Sequence, residues 1–116
     1  MNKENTMKLL NFAHPLNQDS LADLSEVAGQ KVQEVVVPVH LDLDRPLKPQ
    51  LDALVNILIE QKPDYVSPPS LAVAAAWIGR AIEAHTPSAR LIFLKRDSSI
   101  PPRWRLGDVV GKENTP

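Results

Sequence analysis

Short apolar runs of strand length alternate with stretches of helical spacing along almost the whole chain, and proline or glycine punctuates most of the joints. Such alternation restricts the fold to an α/β sheet with helices on its faces, because strands joined by helical crossovers run parallel and cross right-handedly. At 116 residues the chain has material for one core of this kind. The reading is a three-layer domain over residues 7–111, with a disordered N-terminal tail at 1–6 and a C-terminal tail at 112–116. The tetrapeptide Lys-Glu-Asn-Thr recurs in both tails but is too short to be a structural repeat. Met7 is an alternative natural start.

Leu9, Leu10 and Phe12 make Lys8–Phe12 a short buried strand that His14-Pro15 ends. Asp19-Ser20 supplies a helix cap, Leu21, Leu24 and Ala28 recur at helical spacing, and Gly29 suits the left-handed position beyond the helix end. Val32–Leu41 is rich in β-branched residues and reads as a strand covered on both faces. Pro38, which has no amide to donate, points instead to an edge or a bulge. After the polar Asp42–Pro46 connection, Leu47, Leu51, Leu54, Val55 and Leu58 trace one face of a helix to Gln61, and Pro63 stops it. Tyr65-Val66 is a brief strand. Ser67-Pro68-Pro69-Ser70 then leads into an alanine-rich helix from Leu71 to His85, with either serine as its cap. Ala72, Ala75, Ala76 and Gly79 form a stripe of small side chains on that helix, suited to packing on the sheet or to a subunit contact. Leu91–Leu94 and Trp104–Val110 pair antiparallel across the Ser98–Pro102 turn.

Composition narrows the classes of function. Hydrophobic residues at 43% and charged residues at 23% fit an ordinary globular protein. No apolar run approaches the ~20 residues of a membrane span. No apolar stretch near the start has signal-peptide length, so the expected location is the cytoplasm, with no membrane partner. The absence of cysteine removes disulfides, thiolate nucleophiles and cysteine-based zinc sites. The net charge of −1 is unevenly spread: residues 8–64 hold five Lys/Arg against nine Asp/Glu, and residues 65–105 hold six against two. A local basic face attracts a compact anion without the overall basicity that long DNA or RNA demands, although a solvated, charge-balanced surface gives the same pattern.

In mostly parallel sheets ligands collect beyond the carboxyl ends of the strands, at the point where the strand order reverses. With the first strand beside the third, the loops flanking that crevice are Ala13-His14-Pro15 and Ser67-Pro68-Pro69-Ser70. The second opens directly into a helix, whose amides and dipole favour a phosphate. The candidate ligand-binding set is therefore Asn11, Phe12, Ala13, His14, Pro15, Ser67, Pro68, Pro69, Ser70, Leu71 and Arg96. Arg103 and Arg105, like Arg96 and Lys95, lie at or after the end of the fourth strand and could supply further donors. Duller roles exist for each: a strand-end cap for His14, helix caps for Ser67 and Ser70, core for Trp77, and an alternating hairpin strand for Trp104. His40 and His85 read as structural or surface residues. Asp42 and Asp44 resemble an acid pair but equally suit a solvated loop. Glycine-rich phosphate loops, His-Glu-x-x-His and the nucleophile elbow are absent, and no metal site or cofactor is expected.

Four segments carry a family resemblance in their order: Leu-Leu-Asn-Phe-Ala-His-Pro-Leu at 9–16, Val-Pro-Val-His-Leu-Asp at 37–42, Pro-Gln-Leu-Asp-Ala-Leu-Val at 49–55 and Pro-Pro-Ser-Leu-Ala-Val-Ala-Ala-Ala at 68–76. Over residues 7–110 the chain resembles a small family of ancillary proteins of type III CRISPR systems, itself similar to the CRISPR-associated Rossmann-fold (CARF) sensors of cyclic oligoadenylates. Where members often have Asn-Pro-Pro-Gly-Leu, this chain has Ser67-Pro68-Pro69-Ser70-Leu71, keeping the prolines but losing a glycine that favours close backbone approach to a phosphate. The resemblance implies a CARF-like, Rossmann-like domain that binds a cyclic oligoadenylate, the tetra-adenylate, across a homodimer or higher homo-oligomer. The protein would lower antiviral signalling by sequestering the ring or degrading it slowly. Two alternatives are a true ring nuclease, metal-independent and with His14 as its catalytic candidate, and a small nucleotide-processing α/β enzyme. A purely structural partner protein would bind no nucleotide at all.

Overall fold

The computed structural model of the protein describes residues 6–111; the tails read at 1–5 and 112–116 lie outside the described residues. The elements run β1 (Thr6–Asn11), α1 (Gln18–Ala28), β2 (Lys31–Val36), α2 (Leu47–Gln61), β3 (Tyr65–Ser67), α3 (Ala72–His85), β4 (Arg90–Arg96) and β5 (Trp104–Val110). Thr6 already belongs to a strand, so the tail ends sooner than the sequence suggests. The sheet order is β2-β1-β3-β4-β5. Every pairing is parallel except β4 with β5, which is antiparallel with a bulge at Phe93/Leu94.

Alternation along β1 divides the molecule into three layers. Leu10 joins Val66, Leu51, Leu54, Leu58 and Ile78 in a core beneath α2 and α3, whereas Leu9 packs with Leu24, Val32, Tyr65 and Ile92 beneath α1. A one-residue slip of β1 would exchange the two sets, so these two leucines, both fully buried, fix its register. Because β1 leads left to β2 and the chain then crosses to β3, the order reverses between β1 and β3, and the carboxyl ends of those strands frame the crevice.

Several local readings need correction. Asn17, not Asp19-Ser20, caps α1: its side-chain oxygen accepts from the Ser20 amide at 2.7 Å, while Gly29 closes the helix at φ 75° as expected. β2 stops at Val36, well short of Leu41, so Pro38 lies beyond the strand and interrupts no ladder. Neither Ser67 nor Ser70 caps α3; Leu71 occupies that position without a side-chain hydrogen bond. The stripe of small side chains on α3 does not pack on the sheet. Ala72 and Ala76 are exposed, and a Cβ at Gly79 would meet nothing within 4 Å.

The β4–β5 hairpin is set by Asp97. Its carboxylate accepts hydrogen bonds from the Ser99 hydroxyl, the Arg103 amide at 2.9 Å and the Ser99 amide at 3.0 Å. β5 is joined to α1 by Asp23, which receives both Arg105 Nε and Nη2, at 2.8 and 2.7 Å, and the Leu106 amide at 3.2 Å. No helix among the described residues is long and apolar enough to cross a membrane.

Those donors, the Ser99 hydroxyl foremost and then the Arg103 and Ser99 amides, hold Asp97 down at about 2 from an ordinary 3.8. A carboxylate with a depressed native pKa supports the fold above its unfolded value and loses that support as pH falls towards the native one. Denaturant midpoints measured from pH 4 down to pH 2 should therefore fall less steeply for Asp97→Asn than for the parent chain. Identical acid slopes would show that the turn does not depend on this charge.

Candidate functional site

Asn11, the last residue of β1, is fully buried. One of its amide hydrogens is donated to the His14 carbonyl at 2.8 Å and the other to Glu34 Oε2 at 2.8 Å, while its oxygen accepts from the Ala13 amide at 2.8 Å. Glu34, on the neighbouring edge strand β2, also accepts from the Leu16 amide at 2.9 Å. A strand that ends inside a protein leaves its next backbone groups without ladder partners. Here an amide and a carboxylate take that role, folding residues 12–16 into a turn that carries His14 out to solvent.

The proline-serine turn meets it. Asn11 stands opposite Ser67 in the β1–β3 register, and the Phe12 amide donates to the Ser67 carbonyl at 2.9 Å. The crevice so framed is divided by the His14 turn into two cavities. The larger, about 540 Å³, lies towards β2 and runs from Phe12–Pro15 to Pro69–Leu71, with Val36 and the Pro38–Leu41 segment, His40 included, as its other wall. The smaller, about 280 Å³, lies towards β4 and is lined by Ala13–Asn17, Ser20, Ser67, Leu94 and Trp104.

The residues singled out from sequence thus come together unequally. Ala13, His14 and Pro15 border both cavities; Phe12, Pro69, Ser70 and Leu71 border the larger and Ser67 the smaller. Asn11 is enclosed, with its side chain wholly engaged in shaping the turn. Pro68 and Arg96 line neither cavity, and Arg96 lies over the Trp104 ring, 5.2 Å from its centroid. Arg103 reaches Asp19 at 3.3 Å, and Arg105 is committed to Asp23, whose carboxyl is held below its usual range first by that guanidinium and then by the Leu106 amide. Asp42 serves its own loop, with Arg45 at 3.2 Å and the Asp44 amide at 3.0 Å.

Sequence reasoning missed Glu34, because a single acid in a β-branched strand gives no sign of which loop it supports. It also undervalued Trp104 and His40, whose segments return to the crevice only through sheet order. Comparison with family models, curated proteins and solved structures gives no match to this chain.

Asn11→Ala removes three hydrogen bonds whose partners are only partly buried, so water can replace some of them and the loss should be on the order of 1–3 kcal/mol in all. Urea unfolding should show a lowered midpoint with an unchanged slope. Glu34→Gln, which keeps an acceptor for Leu16, should cost less than Glu34→Ala; a Glu34→Ala chain as stable as the parent would mean that the carboxylate does not organise the turn.

Proposed function

We propose that this chain binds a cyclic oligoadenylate, the tetra-adenylate, over the carboxyl ends of β1 and β3, with two copies of the chain sharing the ring. The observation carrying this reading is that the His14 turn and the start of α3, each within a segment of the family resemblance, border one cavity, with the Phe12 amide bonded to the Ser67 carbonyl beside it. α3 begins without a side-chain cap, and the amides of a first helical turn have no partners within the helix, so they suit a phosphate oxygen. An isologous pair of crevices would present such donors symmetrically, matching the repeats of a ring. The domain is then a CARF-like, Rossmann-like ligand-binding domain. Its effect on type III CRISPR signalling follows from removing the messenger.

Holding the ring is favoured over rapid cleavage. The His14 side chain is exposed and makes no hydrogen bond to a carboxylate among the described residues, so nothing orients or polarises it as triad-like sites require. Slow cleavage is the second reading, favoured by the place of His14 between the two cavities. The ring's own 2′-hydroxyl would attack the adjacent phosphorus, giving its proton to His14. The 5′-oxygen would leave with a proton, and a 2′,3′-cyclic phosphate would remain.

Purified protein incubated with labelled cyclic tetra-adenylate should retard it on a native gel, with an intact ring recovered by chromatography. Linear products carrying a 2′,3′-cyclic phosphate, lost in His14→Ala while binding persists, would establish the nuclease instead. Absence of any retardation would reject the reading. If Arg96 reaches past Trp104 to one phosphate, Arg96→Gln should lower the slope of log affinity against log salt by about 0.7; an unaltered slope would assign Arg96 to supporting Trp104 alone.

A further inference from the structure

We infer that the smaller cavity, between the start of α1, the His14 turn and Trp104, is the seat of a purine base, with Trp104 as stacking platform and Ser67 as the hydrogen-bonding group. The inference deepens the reading above and rests on its nucleotide part.

Ser67 is the first observation. It is 7% exposed, it lines the cavity, and its hydroxyl makes no hydrogen bond within the described residues, although its backbone carbonyl is bonded to Phe12. The hydroxyl oxygen faces the cavity and is open to water there, and a ligand atom can take that water's place. A hydroxyl rotates to donate or to accept, and the edge of a purine offers both ring nitrogens and, in adenine, an exocyclic amine.

The walls are the second. Pro15, Leu16, Leu94 and Trp104 give the cavity a predominantly apolar lining with few polar groups, the composition that suits a flat heterocycle. Trp104 is 48% exposed, yet its backbone is fixed, because its carbonyl accepts from Ser20 Oγ at 2.9 Å and Asn17 Nδ2 at 3.1 Å. The Arg96 guanidinium lies over the ring, so the indole is held from its backbone and through its π-face. An aromatic group held in this way loses little freedom when a base stacks on it. The His14 turn borders this cavity and the larger one alike, so a base seated here lies across that turn from the cavity that Ser70 and Leu71 border.

The test uses the full chain carrying Trp77→Phe, which leaves Trp104 as the sole tryptophan. Its emission is followed on titration with cyclic tetra-adenylate, cyclic tetra-uridylate and adenosine. The adenylate ring and adenosine should quench Trp104, and the adenylate ring should bind about tenfold more tightly than the uridylate ring, within the range of one stacked base. Trp104→Ala, followed by native gel, should bring the adenylate ring to the affinity of the uridylate ring, and Trp104→Phe should restore most of the difference. Ser67→Ala, nearly isosteric, should weaken adenylate binding about fivefold. Ring binding with no base preference and no quenching would overturn this inference while leaving the proposed function standing. Quenching by adenosine with neither ring bound would do the reverse. Silence from all three ligands would overturn both.

Discussion

A parallel strand that ends in the interior must hand its backbone on to something, and at the end of β1 the recipients are Asn11 and Glu34. The Asn11 amide spans the turn from Ala13 to His14, and the Glu34 carboxylate ties both Asn11 and Leu16 to the edge strand. If residues 12–16 ran straight on, they would cover the mouth of the β1–β3 crevice. Because these bonds bend them, the turn becomes a partition with a cavity on either side, and His14 rides on its crest.

The crevice beside that partition has few charged groups. Arg103 and Arg105 answer carboxylates of α1, and Arg96 is laid over an indole, so the basic second half of the chain mostly organises the hairpin. Donors bordering the larger cavity include backbone amides at the start of α3 together with His14 and His40. Such donors fix geometry more than they add long-range attraction, and affinity would depend on repeating them around a symmetric ligand.

The succession of strands and helices was legible because period and punctuation agree: Leu9 and Leu10 divide between two cores, Gly29 closes α1, and Pro63 follows the end of α2. The adjacency of the His14 and Ser67 turns was legible only on the condition that β1 lies beside β3, which the sheet order meets but which right-handed crossovers alone do not require. What escaped depends on distant partners. Asn17 and Ser20 both reach the carbonyl of Trp104, a contact that no local pattern encodes. The arginines could be placed near a strand end but not aimed, because their direction follows the register of β5 and its bulge. The small stripe on α3 suits the sheet or a subunit contact by its composition, and of these the structure removes the first, since Ile78, Ala81 and Ile82 turn the opposite side of the helix to the core.

The salt bridge between Asp23 and Arg105 has a consequence for how this sheet behaves in a crowded solution. β4 and β5 display Phe93, Trp104 and Val110 to solvent, and an apolar strand at the margin of a sheet invites a foreign strand to align with it. Asp23 occupies the Leu106 amide, and dislodging it would leave the Arg105 guanidinium without its partner. Strand addition at Leu106 must first break a charged, forked contact, which raises the barrier to edge-to-edge pairing at that point of β5.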